Sequence, residues 1–337
     1  MDLVTGGTGL IGSHLLYELV SQGQPVKAIR RSTSNPDRVK QTFSYYSTGA
    51  VEMFSRIDWV DGDLLDPDSL AEAMEGVERV YHCAAMVSFI TRQKQQMMEN
   101  NVTGTANVVN ACLERGIKKL CFVSSTAAIG YRQDEAVDET VVWKYSKHRS
   151  AYSISKYRSE MEVWRGIGEG LNAVIVNPSI VIGPGNWDRS SAAIFKPVWE
   201  GLNFYTRGMT GYVDVWDVAQ AMITLMESTI SGERFILSSE NLSYQNVFTL
   251  VAKALGKKPP ERYAPPFLTG MTWRMDWFVS KLLFRSQLFS RDTARSAHHK
   301  TCFSNKKIRE ATGITFKHIE QSVLETASIF LKEHNNG

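Results

Sequence analysis

Cysteine is scarce: four residues among 337, Cys83, Cys112, Cys121 and Cys302, with no CxxC spacing and mostly apolar neighbours. That excludes a disulfide framework and a zinc site and predicts reduced, buried thiols, as in a cytosolic protein. No run reaches the roughly 18 uninterrupted apolar residues that a membrane-spanning helix needs. The longest candidate, 267–284, is broken by Arg274, Asp276 and Lys281 and contains Gly270, so an amphipathic helix is expected there. A strand, Asp2-Leu3-Val4-Thr5, starts directly after Met1, and with no room for a leader a cytoplasmic location is expected. Excess charge of one sign is missing too. The net charge is +3, and pairs such as Lys257-Lys258 and Lys306-Lys307 read as solvated surface, so a nucleic-acid partner is not expected. No metal site, repeat, low-complexity tract or linker is apparent. The length suits one large domain or two closely joined ones.

What is present is a regular alternation. Short apolar runs at Leu3-Val4, 26–29, 57–60, 80–83, 120–123 and 173–176 are separated by helical patterns such as Leu15, Leu16, Leu19, Val20 and Val102, Ala106, Val109, Leu113. Short β-branched runs between helical patterns predict βαβ units around a parallel sheet buried on both faces. After about residue 180 strand signals thin out and aromatics become denser: Trp187, Trp199, Phe204, Tyr205, Tyr212, Trp216. The expected organisation is a dinucleotide-binding domain over 1–180 and a smaller, mainly substrate-binding part over 181–337, some of whose segments return to the first domain.

Thr5-Gly6-Gly7-Thr8-Gly9-Leu10-Ile11-Gly12 links the first strand to an amphipathic helix. Gly6, Gly9 and Gly12 supply what a pyrophosphate needs: a tight turn, a close backbone approach and close helix–sheet packing, with the phosphates on the helix N-terminus. The strand before and the helix after are the context that makes this pattern a dinucleotide site, and the fold class follows: α/β, a Rossmann doubly wound parallel sheet with a smaller C-terminal part. Where an acid would bind the adenosine ribose of NAD, the chain has Arg30-Arg31-Ser32-Thr33. Two guanidiniums and two hydroxyls suit a 2′-phosphate, so NADP(H) is favoured, with NAD(H) left open because one arginine can simply stack on adenine.

In Tyr152-Ser153-Ile154-Ser155-Lys156 the Tyr and Lys are one helical turn apart and share a face. A free phenol ionises near pH 10, and an adjacent ammonium is expected to bring it toward neutrality. Upstream lies Val123-Ser124-Ser125-Thr126 at a strand end.

Taken in order, these motifs resemble the short-chain dehydrogenases/reductases, through the TGxxGxxG form and the complete YxxSKxxxE pattern with Ser155 and Glu160. The resemblance runs from Leu3 to about His334, points to the extended, epimerase/dehydratase-like branch, and is nearest to its dihydroflavonol 4-reductase and 3β-hydroxysteroid dehydrogenase relatives. It implies a Ser–Tyr–Lys mechanism with catalytic Ser125, Tyr152 and Lys156. Ser124 and Thr126 are rivals to Ser125 in register. Asn101 matches the asparagine that bends its helix and holds a relay water. Cofactor contacts are implied at Thr5, Gly6, Gly9, Leu10, Ile11, Gly12, Arg30, Arg31, Ser32, Asp63, Leu64, Ala84, Ala85, Lys156, Pro178 and Ser179. His82 reads as packing.

An NADP(H)-dependent carbonyl reductase or alcohol dehydrogenase is the leading expectation. A nucleotide-sugar epimerase or dehydratase is the rival, weakened because Asn177-Pro178-Ser179 and Thr210-Gly211-Tyr212 lack the cation that would hold a substrate diphosphate, unless Arg189 or Arg207 supplies one. A cofactor-bound sensor is the non-enzymatic alternative, disfavoured by the intact Tyr–Lys pair. Met86, Val87, Phe89, Tyr131, Trp143 and Trp187 are expected to line a pocket for an apolar or aromatic small molecule. Nothing in the sequence excludes a homodimer.

Overall fold

Strands β1 (Asp2–Thr5), β2 (Val26–Arg30), β3 (Ile57–Asp61), β4 (Arg79–His82), β5 (Lys119–Val123) and β6 (Ala173–Pro178) stand where the apolar runs predict them. The computed structural model describes residues 1–88, 90–133, 135–146, 149–189, 191–282 and 291–335. The remaining strands are β7 (Ile180–Ile182), β8 (Phe204–Tyr205), β9 (Met209–Asp214), β10 (Glu233–Leu237), β11 (Glu240–Ser243) and β12 (Arg262–Tyr263). Seven of them form one parallel sheet in the order β10-β6-β5-β4-β1-β2-β3. Because the chain reverses direction across the sheet at β1, a crevice opens between the carboxyl ends of β1 and β4.

Period-two alternation decides what each sheet face buries. Val4, Tyr81, Cys121, Val123, Val174 and Val176 pack on one side against Leu15, Leu16 and Leu19 of the helix Leu10–Ser21. Leu3, Val80, Leu120, Phe122, Ala173 and Ile175 pack on the other, against Val108, Val109 and Val163. All these strand residues are at most 6% exposed, which is why the runs read as continuously apolar.

Beyond β6 the chain leaves the large sheet and comes back to it. β7, β9 and β11 form a small three-stranded sheet and β8 pairs with β12, whereas β10 returns to the edge of the large sheet beside β6. The last helix, Ile319–Asn335, places Ile319, Val323, Ala327 and Phe330 in a separate apolar cluster with Phe195, Tyr212, Val247 and Val251. The segment expected to be amphipathic is helical over Pro266–Leu282. Among the described residues no helix is long and apolar enough to cross a membrane. Cys112 and Cys121 are buried, Cys83 and Cys302 half-buried, and all four are free thiols.

Candidate active site

The turn after β1 requires glycine for steric reasons. Gly6 has φ +69°, and a Cβ there would lie 2.6 Å from the Ala84 backbone at the end of β4. A Cβ on Gly12 would lie 2.3 Å from the Gly6 carbonyl oxygen. Gly9 N donates to Gly6 O at 2.9 Å and caps the helix without a side chain, and the first turn of that helix holds no acid. The exposed Gly9 backbone therefore presents the positive end of a helix, with Leu10 and Ile11 half-buried behind it, at the mouth of the crevice. This cradle fits a dinucleotide pyrophosphate.

Thr5 is buried beneath the crevice. Its hydroxyl pairs with His82 Nδ1 at 2.7 Å and accepts from Ala84 N at 3.3 Å, stapling β1 to β4. His82 Nε2 pairs with the Thr105 hydroxyl at 3.0 Å, and the ring stacks on Phe122. Burial, reinforced by the Lys156 charge, holds this imidazole down at about 3. Burial also lowers His14, to about 4, against the opposing hydrogen bond with the Leu10 carbonyl. Both rings are neutral in the fold, and an unfolded imidazole protonates near pH 6.5. The unfolded chain therefore binds more protons from about pH 6.5 down to about 4, and stability falls as pH falls through that window, by about 1.4 kcal/mol per pH unit per ring. Urea unfolding should show a loss of about 4 kcal/mol between pH 7 and pH 5 from these two rings. A His82→Asn variant should have a shallower slope, and an unchanged slope would show that His82 does not contribute.

At the adenosine end the two arginines part company. Arg30 Nε donates to Asp61 Oδ1 on the neighbouring β3 at 2.9 Å, whereas Arg31 is exposed and has a 3.4 Å contact with Asn100 Oδ1. Ser32 is exposed beside it. Asp63 accepts from Leu65 N at 3.0 Å in a side-chain-closed turn, and the Leu64 carbonyl accepts from Asn107 Nδ2 at 2.9 Å.

Ser125 ends the extended segment after β5 and caps the short helical turn Thr126–Ala128, accepting from Ala127 N at 3.2 Å. The following long helix, Ala151–Gly168, is capped by Ser150 and tied to that turn by Ser153 Oγ, which donates to Ala127 O at 2.7 Å. This arrangement brings Tyr152 beside Ser125, which acts to lower the phenol's pKa. Ser124 points elsewhere, donating to the buried Glu160 Oε2 at 2.6 Å, which sets it apart from Ser125. Lys156, 2% exposed, donates to Val123 O at 2.7 Å and lies over the Phe122 ring. Burial pulls its ammonium down to about 8, opposed by the Glu160 charge. The expected lowering of the Tyr152 phenol is not met: burial raises it, and the Ser125 hydrogen bond only partly opposes that. Burial strips the phenolate of hydration, and at this site that effect is larger than the Ser125 contribution.

Asn101 lies in a π-helical turn, Glu99–Thr103, and its side chain is absorbed by structure. Its Oδ1 accepts from Met86 N at 2.7 Å, and its Nδ2 contacts Met86 O and Ser155 Oγ at 2.9 and 3.1 Å. Its backbone oxygen accepts from Thr105 and Ser159 hydroxyls. In this geometry Asn101 ties the Met86 backbone to Ser155 of the helix Ala151–Gly168.

Two pocket residues move elsewhere. Trp143 stacks on Tyr157 at 4.0 Å, in an open groove of about 720 Å³ that also holds Met161, Trp164 and Arg234. At 100° per residue, Tyr157, Met161 and Trp164 lie on the side of their helix away from Tyr152 and Lys156. Trp187 is core, edge-on to Phe195 and Phe330, with Nε1 donating to Glu333 at 2.5 Å. Aromatic density marks cores as well as pockets, and here the apolar partners are supplied by the C-terminal helix. Met86 is half-buried and Val87 and Tyr131 are about half exposed. Phe89 lies outside the described residues. Pro178 ends β6, and Ser179 is held by Leu237 O through its N–H at 2.9 Å and its hydroxyl at 3.2 Å. The sequence reading missed Arg234: its Nη1 donates to Glu160 Oε1 at 2.9 Å, and nothing in its local sequence signals that role.

Fold and site together define a dinucleotide-dependent α/β enzyme. Residues 3–237 match the NAD dependent epimerase/dehydratase family, and the chain belongs to that family, the extended short-chain dehydrogenases/reductases. It is 31% identical to a Synechocystis sp. protein named "Putative dihydroflavonol 4-reductase", over 97% of this chain and 93% of that one. It is 32% identical to cinnamoyl-CoA reductase 1 of Petunia hybrida, over 76% and 78%. Among solved structures, gox2253 superposes with TM-score 0.80 at 29% identity, over 99% of this chain and 98% of that one. UDP-glucose 4-epimerase of Thermotoga maritima, with UDP-glucose, superposes at 0.77 with 22% identity, over 99% and 100% of the two chains, a likeness of fold. The chain is an NAD(P)-dependent oxidoreductase.

Proposed function

We propose that this enzyme is an NADP(H)-preferring carbonyl reductase, or the reverse alcohol dehydrogenase, acting on an apolar or aromatic small molecule. The observation that carries the reading is the juxtaposition of Ser125, Tyr152 and Lys156 at the carboxyl edge of the sheet that holds the glycine turn: Ser153 ties the Tyr152 helix to the turn that Ser125 caps, and Lys156 donates to the Val123 carbonyl beside it. The nicotinamide, when bound, supplies the hydride. Ser125 holds the substrate oxygen, Tyr152 gives it a proton, and the Lys156 ammonium steadies the phenolate that remains. A phenol raised by burial is fully protonated at neutral pH, which suits a proton donor in the reductive direction. Residues 1–180 hold the cofactor and 181–337 chiefly shape the substrate side, with Met86, Val87 and Tyr131 at its mouth. The dihydroflavonol 4-reductase and cinnamoyl-CoA reductase names of the relatives agree with an aromatic carbonyl substrate. The epimerase reading lacks its diphosphate cation at the family's two positions, where Thr210 and Asn177 stand; Arg207 lies over the Tyr263 ring, and the exposed Arg189 is left as the cation that could replace it.

NADP(H) preference rests on Arg31, exposed at the end of β2, more than on Arg30, which Asp61 engages. The enzyme is further proposed to work in the cytoplasm, without nucleic acid, as a monomer or homodimer. One experiment tests the reading: aromatic ketones, aldehydes, thioesters and nucleotide sugars are screened with NADPH and NADH by loss of reduced-cofactor absorbance. Turnover of aromatic carbonyls with NADPH favoured about tenfold or more, and that preference lost in Arg31→Glu, is the expected result. Turnover confined to nucleotide sugars would overturn the substrate assignment, and equal use of both cofactors would overturn the cofactor assignment.

A further inference from the structure

Among the described residues, the helix Pro266–Leu282 presents an exposed apolar edge. It is anchored to the protein on its other side by Thr269, which is 7% exposed and whose hydroxyl pairs with His298 Nε2 at 2.9 Å. Phe267, Met271 and Met275 are 69%, 47% and 62% exposed. Their spacing of four puts them in one row along the helix. Large apolar side chains standing singly in water need no explanation, but a contiguous row of them marks a contact surface.

The sequence that carries this row is basic, which selects the partner. Residues 262–300 contain seven Lys and Arg against two Asp and Glu, a net +5 in a chain whose whole net charge is +3. Arg262 is exposed just before the helix, and Arg274, also exposed, sits beside Met275 and two turns on from Phe267. An apolar helix edge flanked by cations fits the boundary between headgroups and acyl chains of an anionic bilayer. A second copy of this chain fits poorly, since two surfaces of the same positive sign repel. Over its described residues this helix is too short and too charged to cross a bilayer.

We propose that Phe267, Met271 and Met275 dock the enzyme peripherally on an anionic lipid surface, with Arg262 and Arg274 against the headgroups. The helix lies in the plane of the interface and the catalytic sheet stays in water.

The test is flotation of the full-length purified protein with phosphatidylcholine vesicles, with and without phosphatidylglycerol. The expected result is co-flotation with the anionic vesicles and binding at least about tenfold weaker without phosphatidylglycerol. The triple variant Phe267→Ser/Met271→Ser/Met275→Ser should bind at least about tenfold less while its thermal unfolding and cofactor affinity match the parent. Arg262→Glu/Arg274→Glu should lose the preference for anionic vesicles. A parent protein that stays at the bottom of the gradient with both vesicle types overturns the proposal. So does a triple variant that floats like the parent, or a parent dimer that ignores vesicles and becomes monomeric in the triple variant. The last outcome would assign the row to a second copy.

Discussion

Replacing Tyr152 by Phe is expected to lower turnover by about 10²–10⁴-fold and leave dinucleotide affinity within about twofold, because a general acid is removed and the cradle is untouched. The cradle is made by backbone at Gly6, Gly9 and Gly12, whereas Tyr152 stands on a different element, the helix Ala151–Gly168. Steady-state kinetics on the best carbonyl substrate and a fluorescence titration with NADPH separate the two quantities. Lys156→Ala should damage both, since on the proposed mechanism that ammonium serves the phenol and the cofactor ribose together. Ser125→Ala should lower turnover and spare affinity, with Thr126→Ala milder. Ser124→Ala should act differently from both: its hydroxyl is bound to Glu160, so its loss should appear in stability before turnover. Parental turnover in Tyr152→Phe would remove the proposed mechanism, whereas a more damaging Thr126→Ala would move only the identity of the hydroxyl.

Those contrasts trace what a one-dimensional reading reaches. The six main strands were legible because parallel strands buried on both faces leave uninterrupted apolar runs, and Gly6 and Gly12 because the turn excludes every larger residue. Tyr152 and Lys156 were legible because helical spacing alone sets them on one face. Environment was not. Whether the phenol moves down or up depends on the balance between burial and charge, and burial decides it here. Trp143 and Trp187 have the composition of pocket residues, but their places are set by Tyr157 and by Phe330, 14 and 143 residues away in the chain. Arg30 and Arg31 look equivalent in sequence, and only the parallel pairing of β2 with β3 shows that Asp61 engages one of them. Likewise Glu160 was visible as the last letter of a motif, whereas its cation comes from β10, on a strand that returns to the sheet after a long excursion.

That cation should matter more to folding than any other single charge near the site. Glu160 is fully buried, and its two oxygens accept from Ser124 Oγ at 2.6 Å, Asn177 Nδ2 at 2.8 Å, Arg234 Nη1 at 2.9 Å and Trp164 Nε1 at 3.3 Å. Arg234 also ties down the Glu139 carbonyl through Nε and Nη2 at 3.1 and 2.6 Å. A buried carboxylate is tolerated when it is both hydrogen-bonded and charge-compensated. Arg234→Met keeps much of the side-chain volume and removes the compensation, so it should destabilise the fold by about 3–5 kcal/mol, read from urea unfolding. Adding Glu160→Gln to that variant removes the stranded charge and should recover at least about half of the loss, because a neutral amide is far cheaper to bury. Arg234→Lys should fall between parent and Met, retaining charge without the planar fork that reaches Glu160 and Glu139 together. Because Ser124 and the Ser125 carbonyl both hang from this network, the latter through Asn177 Nδ2 at 3.0 Å, Arg234→Met should also reduce turnover under conditions where it remains folded. A double variant no more stable than Arg234→Met would mean that Arg234 acts through its bonds to the Glu139 carbonyl, and that Glu160 is held well enough by its neutral partners alone.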